Sequence, residues 1–360
     1  MSVPGRLRVI FIVALATRAF GQLPGLPADK LEKVEAAISA AMARQAIPGL
    51  SVAVANNREL LWANGYGLAD LENNVPAKAR TVYRLGSISK PITATAVMQL
   101  VERGRLDLDV PIQKYCPAFP QKAWPVTARQ LLGHLSGVRH YKPGEMESTR
   151  HYDGIVDGLK IFKDDPLLFE PGTKYSYSTF GYSVLGCAIE GAGGTTYPAF
   201  VRENVFEPAG MDRIRVDEVA AIILNRAQGY ERARDGQIHN SGLADTSYKV
   251  PGGGWASTVV DLARFGIALQ SGKLLKPATI RKMWTSQKTR DGKETGYGLG
   301  WEVGDRDGVH FVGHGGAQQR VSTFLYLVPA RGTVVAVMCN LEEAAVVVDL
   351  AKQIGDIVAQ

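Results

Sequence analysis

What most constrains this chain is that its strand-like segments lie at its two ends, with a long stretch of helix and loop between them. Asp29 to Gln45 places Leu31, Val34, Ile38 and Met42 at helical spacing, and Pro48-Gly49 stops that helix. Leu50 to Ala55 and Leu60 to Tyr66 read as paired strands, with Asn56-Asn57 as hairpin chemistry because Asn tolerates a left-handed backbone. Near the other end, Gly298–Val303, Val309–Val312, Ser322–Val328 and Thr333–Cys339 are rich in β-branched and aromatic residues, and Glu342–Val358 reads as a closing helix. Tyr83 to about Met283 is mostly helix and loop, with helices at Pro91–Arg103, Ala128–Leu135, Phe180–Gly191 and Val259–Gln270. Such an order predicts an α+β fold. One antiparallel sheet is built from both chain ends, the terminal helices pack on it, and a mostly helical subdomain lies against one edge. The cleft between the two parts is a common place for an active site.

With 360 residues, 46% of them hydrophobic, the chain supplies a large core, and no linker, repeat or low-complexity run divides it. We therefore expect one domain over residues 22–360, its sheet part at about 29–83 and 284–360 and its helical part at about 84–283. Residues 1–21 read as a signal peptide: Arg6 and Arg8 precede the short apolar run Val9–Ala16, and Ala19-Phe20-Gly21 offers a small-x-small cleavage site. That implies an exported protein, periplasmic or secreted, without a stable membrane anchor after cleavage. An uncleaved anchor, or an Arg-rich transit peptide to the mitochondrion in a eukaryote, stays open. The formal charge is +6, and Arg6, Arg8 and Arg18 supply three of those charges. The remaining basic residues are dispersed among acids rather than gathered in a stripe, which argues against nucleic acid as a partner. Cys116, Cys187 and Cys339 allow at most one disulfide; Cys187 and Cys339 sit in apolar runs and read as core residues.

Ser87-Ile88-Ser89-Lys90 is the one S-x-x-K in the chain, and it runs into Pro91 and an apolar helix. Positions i and i+3 share a helix face, so the two side chains can meet. A Ser hydroxyl needs a base to become a nucleophile, and a desolvated Lys serves because burial favours its neutral form. Taken alone, the spacing also fits a capping Ser with an exposed Lys. No G-x-S-x-G or H-E-x-x-H occurs, the six His show no ligand spacing, and Gly252-Gly253-Gly254 lacks the Lys-Ser or Lys-Thr of a phosphate loop. No metal and no cofactor is expected.

Several ordered stretches agree with the motif: Arg84-Leu85-Gly86-Ser87-Ile88-Ser89-Lys90, Leu106-Asp107-Leu108-Asp109, His134-Leu135-Ser136-Gly137-Val138-Arg139-His140-Tyr141, Tyr177-Ser178-Thr179-Phe180-Gly181-Tyr182, Asn225-Arg226-Ala227, and Ser247-Tyr248-Lys249 with Gly252-Gly253-Gly254. Together they resemble the serine β-lactamase and penicillin-binding protein superfamily, nearest its class C branch and nearer still the LACTB group of β-lactamase-like serine proteases, from about Val34 to Val348. The resemblance implies a β-lactamase/transpeptidase-like fold and a serine hydrolase working through an acyl-enzyme. It implies Ser87 as the acylated nucleophile, Lys90 as its proton acceptor or relay, and Tyr177 as the Tyr of the family's Tyr-x-Asn motif. It places His314-Gly315-Gly316 on the family's Lys-Thr-Gly strand, with the backbone N–H groups of Ser87 and Ala317 as the oxyanion hole. Thr179 departs from the family's Asn, and His314 from the Lys that would hold a penicillin-like carboxylate. Weak or absent β-lactam turnover follows, and the expected partner is a peptide or ester substrate. A D-Ala-D-Ala carboxypeptidase or true β-lactamase is the rival within enzymes. A filament-forming or scaffold protein with little activity is the rival of another class, so a homo-oligomer or filament belongs to the reading.

Overall fold

The structure is a computed structural model that describes residues 23–359; the export-signal segment at 1–21 lies outside the described residues. Helix α1 (Ala28–Gln45) leads into strands β1 (Gly49–Asn56), β2 (Glu59–Asp70) and the short β3 (Val75–Pro76). Helices α2 (Ser89–Glu102), α3 (Thr179–Gly193) and α4 (Val259–Gln270) belong to the intervening part. Strands β4 (Glu302–Arg306), β5 (Val309–Gln318), β6 (Val321–Val328) and β7 (Thr333–Cys339) follow, and α5 (Val346–Ala359) closes the chain. The seven strands form one antiparallel sheet in the order β3-β2-β1-β7-β6-β5-β4, joined across its middle where Val52 opposes Val337. The two chain ends thus meet strand against strand.

The central strands are buried on both faces, and their alternation sorts side chains between two cores. Val335 and Val337 face α1 and α5, packing with Val34, Ile38, Leu350 and Ile354. Val334, Ala336 and Met338 face the other way, toward Phe265 of α4 and the helical part. Burying such a side chain fully contributes roughly 1.5–3 kcal/mol, so a one-residue register slip would be costly throughout the sheet. Helix α2 is buried from Ser89 to Leu100, all the way round. It is the internal axis of the helical part, which fixes the motif at its start.

Several boundaries differ from the sequence reading. The helix expected at Ala128–Leu135 ends at Leu132, with His134 at a left-handed φ of 58°, and the strand expected at Leu60–Tyr66 runs from Glu59 to Asp70. The strand expected at Gly298–Val303 begins only at Glu302, because Gly300 adopts φ +87° where the chain turns into the sheet. The strand whose composition reads as Val309–Val312 runs on to Gln318, taking in His314-Gly315-Gly316 as the resemblance implies, and it is held by β6 through a segment whose glycines lack strand propensity. The last helix starts at Val346 rather than Glu342, since Glu343 takes a left-handed φ of 52°. Cys187, read as a plain core residue, is disulfide-bonded to Cys116, tying α3 to the loop beyond α2; Cys339 is free and buried.

Candidate active site

Ser87 lies in a tight turn, Gly86–Ile88, that passes directly into α2. Gly86 has φ +53°, and a Cβ there would stand 3.0 Å from the backbone nitrogen of Ala317. Only a residue without a side chain lets the turn press so closely on β5. On the other side, β4 pairs with β5 as far as Gly313, so the outer edge from His314 to Gln318 is left unpaired by β4. The nucleophile-bearing turn and a free strand edge therefore face one cavity of about 490 Å³, walled by Ser87, Tyr177, Thr179, Lys249, Gly316 and Gln318 among others.

Lys90 Nζ is 2.9 Å from Ser87 Oγ, 3.1 Å from Thr179 Oγ1 and 2.8 Å from the Gly252 carbonyl. Lys90 is fully buried, and burial, reinforced by the charge of Lys249, holds its pKa well below the ordinary lysine value. A neutral amine has two N–H donors and one lone pair. The Gly252 carbonyl can only accept, so it takes one N–H; the hydroxyl of Thr179 takes the other, and the lone pair is left for the Ser87 proton. Thr179, the departure from the family's Asn, thus occupies the amide's place with a hydroxyl that can play either role.

Tyr177 packs against His134 with ring centres 4.3 Å apart and planes tilted by 39°, and Lys90 Nζ lies 4.7 Å from the Tyr177 ring centre. Burial raises the Tyr177 phenol well above its ordinary value, although hydrogen bonding to Ser87 opposes this. At neutral pH it is a phenol, a proton donor rather than a phenolate base.

His314 sits differently from the expectation that it faces substrate. It is 1% exposed and is absent from the cavity wall, where its neighbours Gly315 and Gly316 stand. Its Nδ1 lies 2.6 Å from the Gly315 carbonyl and its Nε2 lies 2.8 Å from the Tyr297 hydroxyl. Burial, then the charge of Lys90, lowers its pKa to about 3, so the ring is neutral.

Sequence reasoning assigned no role to Lys249, Gln318 or Tyr297, and read His140 as a satisfied structural residue beside His134; all four are near this site. His140 lines the cavity, accepts the Thr179 N–H on Nδ1 at 3.2 Å, and is held near pKa 4 by burial and by Lys90. Lys249 did lie in a stretch that matched the family pattern, but nothing in its spacing distinguished it from a surface lysine. Among the described residues, no group of three or more His, Cys, Asp or Glu is placed to hold a metal ion, and no helix is long and apolar enough to cross a membrane.

Comparison with known proteins gives the family and the fold. The Beta-lactamase family model matches residues 34–359. The mitochondrial serine beta-lactamase-like protein LACTB of Homo sapiens is 31% identical over 403 aligned residues, which cover 82% of this chain and 74% of the human protein. An octameric penicillin-binding protein homologue from Pyrococcus abyssi superposes with a TM-score of 0.76 at 26% identity, covering 89% of this chain and 75% of that one. A D-stereospecific amidohydrolase from a Streptomyces species gives 0.74 at 25% identity, covering 89% and 98%. The family match runs through both halves of the sheet and the whole helical insert, so this chain belongs to the beta-lactamase family.

Proposed function

We propose that this protein is a serine hydrolase that forms its acyl-enzyme on Ser87 and acts on amide or ester bonds, as a LACTB-like peptidase or esterase. The observation that carries the reading is the buried Lys90 amine 2.9 Å from Ser87 Oγ, with the Gly252 carbonyl and the Thr179 hydroxyl fixing the rest of its hydrogen bonds. In the proposed cycle Ser87 Oγ attacks the substrate carbonyl and its proton passes to the Lys90 lone pair. The oxyanion is held between the backbone N–H groups of Ser87 and Ala317, at the unpaired edge of β5. The Tyr177 hydroxyl gives its proton to the leaving amine or alkoxide as the carbon–heteroatom bond breaks, and it is reprotonated from Lys90. Water then adds to the acyl carbonyl, giving a proton to Lys90; as the ester C–O bond breaks, Lys90 returns that proton to Ser87 Oγ, restoring the hydroxyl and the neutral amine while the acid product departs. Gly315 and Gly316 line the path along which an extended substrate pairs with the strand.

The test is intact-mass analysis after a fluorophosphonate probe. One adduct, on the Ser87 peptide and missing in Ser87→Ala, is the expected result; unchanged hydrolysis in Ser87→Ala refutes the mechanism. A panel of D-Ala-D-Ala peptides, short-chain esters and a chromogenic cephalosporin separates the peptidase/esterase reading from the carboxypeptidase and β-lactamase ones.

We also propose export, with residues 1–21 removed as a signal peptide. The Cys116–Cys187 disulfide supports this, because such bonds persist in oxidising compartments. Sedimentation of the mature chain tests assembly into a homo-oligomer or filament.

A further inference from the structure

Two hydrogen-bond donors in the wall around Ser87 have no protein acceptor. Lys249 is 1% exposed, lines the cavity, and lies over the rings of Tyr141 at 5.1 Å and Tyr248 at 5.3 Å. Among the described residues its ammonium makes no hydrogen bond and no ion pair. Gln318 is 6% exposed, lines the same cavity, and its Nε2 is buried with no partner. The two meet at Gly253: a Cβ built there would stand 3.4 Å from Gln318 Oε1, 3.8 Å from Lys249 Cδ and 3.8 Å from the carbonyl carbon of Gly86, the residue before Ser87. A single point in the wall thus gathers the lysine stem, the Gln318 amide oxygen and the nucleophile's turn, and a flip of that amide, whose two ends have the same shape, turns its donor to the same point.

Unsatisfied buried donors are costly, a charged one most of all, and proteins keep them where a ligand completes them. The other basic groups nearby are engaged. Lys90 is committed to Ser87, Thr179 and Gly252, and Arg84 to Asp217 and the Ala244 carbonyl. His140 and His314 are neutral. The one acid in the cavity wall, Glu343, is exposed at the rim, where solvent and salt screen it.

We propose that Lys249 and Gln318 form an anion-recognition subsite beside Ser87, so that this enzyme prefers substrates carrying a carboxylate close to the scissile carbonyl. This inference rests on the reading of Ser87 as the nucleophile. It places on the helical part of the cleft the cation that position 314, neutral and buried, does not provide. Burial and the charge of Arg84 pull Lys249 down to about 7, leaving part of it cationic at neutral pH, and a bound carboxylate raises that part.

The experiment compares p-nitrophenyl monoglutarate, carrying a carboxylate in the acyl group, with its methyl ester, and 4-acetoxybenzoate, carrying one in the leaving group, with its methyl ester. A charge-assisted hydrogen bond predicts a kcat/KM higher by roughly ten- to a hundredfold for the charged member of at least one pair. Lys249→Met should remove that preference, so that the charged and neutral members of each pair react alike within the variant, the rates being read on the pH plateau because losing the Lys249 charge lets the Lys90 pKa rise. Lys249→Arg should keep most of the preference, and Gln318→Leu should reduce it. No preference in either pair, or a preference unchanged in Lys249→Met, overturns the proposal. Labelling of Ser87 by the uncharged fluorophosphonate is followed on every variant. Failure to label wild type strikes the nucleophile reading, whereas labelling without carboxylate preference strikes only this one. Should Lys249→Met fail to fold, inhibition of wild type decides: glutarate should compete and dimethyl glutarate should not, and equal inhibition by both overturns the subsite.

Discussion

The Tyr297 hydroxyl donates to Nε2 of His314 across 2.8 Å, while Nδ1 of the same ring donates to the Gly315 carbonyl at 2.6 Å. The carbonyl can only accept, so the proton of the neutral ring is on Nδ1, and Nε2 must be the acceptor of the phenol. Both nitrogens are committed to protein. At the position where the resemblance leads one to expect a cation in the cleft, the chain instead has a neutral, locked imidazole, buried against Tyr297 with the Tyr177 ring centre 6.4 Å away.

Acid should weaken this fold earlier than its carboxylates alone would. His314 is held near pKa 3 and the partly exposed His140 near 4, against about 6.5 for an unfolded His. Between those values the unfolded chain binds protons that the folded chain refuses, so stability falls as pH falls below about 6.5 and is unaffected by these groups above it. Each fully buried His contributes at most about 1.4 kcal/mol per pH unit, and His140 less because water screens it. Urea unfolding at pH 7, 6 and 5 should show this slope, reduced in His314→Asn. Because Asp261, raised to about 6 by burial, acts with the opposite sign over the same window, the comparison is the deciding quantity: a slope in His314→Asn equal to that of wild type contradicts the assignment of a buried neutral ring.

Restoring the family lysine should not restore β-lactam turnover. In His314→Lys the new ammonium would be buried against Tyr297 and near Lys90, desolvated and repelled. Wild type is expected to turn over a chromogenic cephalosporin weakly or not at all. The variant should do no better, and it should unfold at a lower temperature. A gain of ten-fold or more in the variant would mean that position 314 reaches the substrate after all.

The pairing of the two chain ends was legible because the strand segments at Leu50–Ala55 and Thr333–Cys339 combine β-branched composition with clear stops. Ser87 and Lys90 were legible because a local i, i+3 spacing is enough to bring them together. The orientation of His314 was not: whether a strand residue faces the cleft or the core depends on register against β6, which pairs His314 with Leu325, and no local pattern fixes that. Lys249 was invisible for the same reason. Its burial comes from Tyr141 and Tyr248, one of them more than a hundred residues away in sequence. Gly313, Gly315 and Gly316 hid the end of β5 from composition, and only the resemblance put 314–316 on a strand; Gly316 is demanded by the fold, because a Cβ there would strike the Leu85 carbonyl.

That contact gives a direct test of the proposed oxyanion site. A Cβ on Gly316 would lie 2.1 Å from the Leu85 carbonyl oxygen and 2.3 Å from Thr323 Oγ1, and one on Gly86 would crowd the Ala317 nitrogen at 3.0 Å. Either Gly316→Ala or Gly86→Ala must move the turn away from the strand. Loss of one oxyanion donor typically costs about 10²–10³ in kcat. Both variants should show a fall of that order, with fluorophosphonate labelling of Ser87 slowed in parallel. A variant that folds and keeps wild-type kcat would remove Ala317 from the proposed hole.

Reduction should loosen the site as well as the fold. The Cys116–Cys187 bridge spans 71 residues and anchors α3, whose first residue, Thr179, holds Lys90 Nζ at 3.1 Å. A native disulfide closing such a loop typically contributes about 2–5 kcal/mol. Thiol titration of the denatured chain should count one free thiol before reduction and three after. Reductant should lower the melting temperature, and the double variant Cys116→Ser, Cys187→Ser should melt where the reduced protein does. Since the bridge acts on α3 far from the nucleophile, its removal should lower kcat modestly while leaving the pH at which Ser87 becomes reactive unchanged. A large shift in that pH would mean that the bridge sets the Lys90 environment itself.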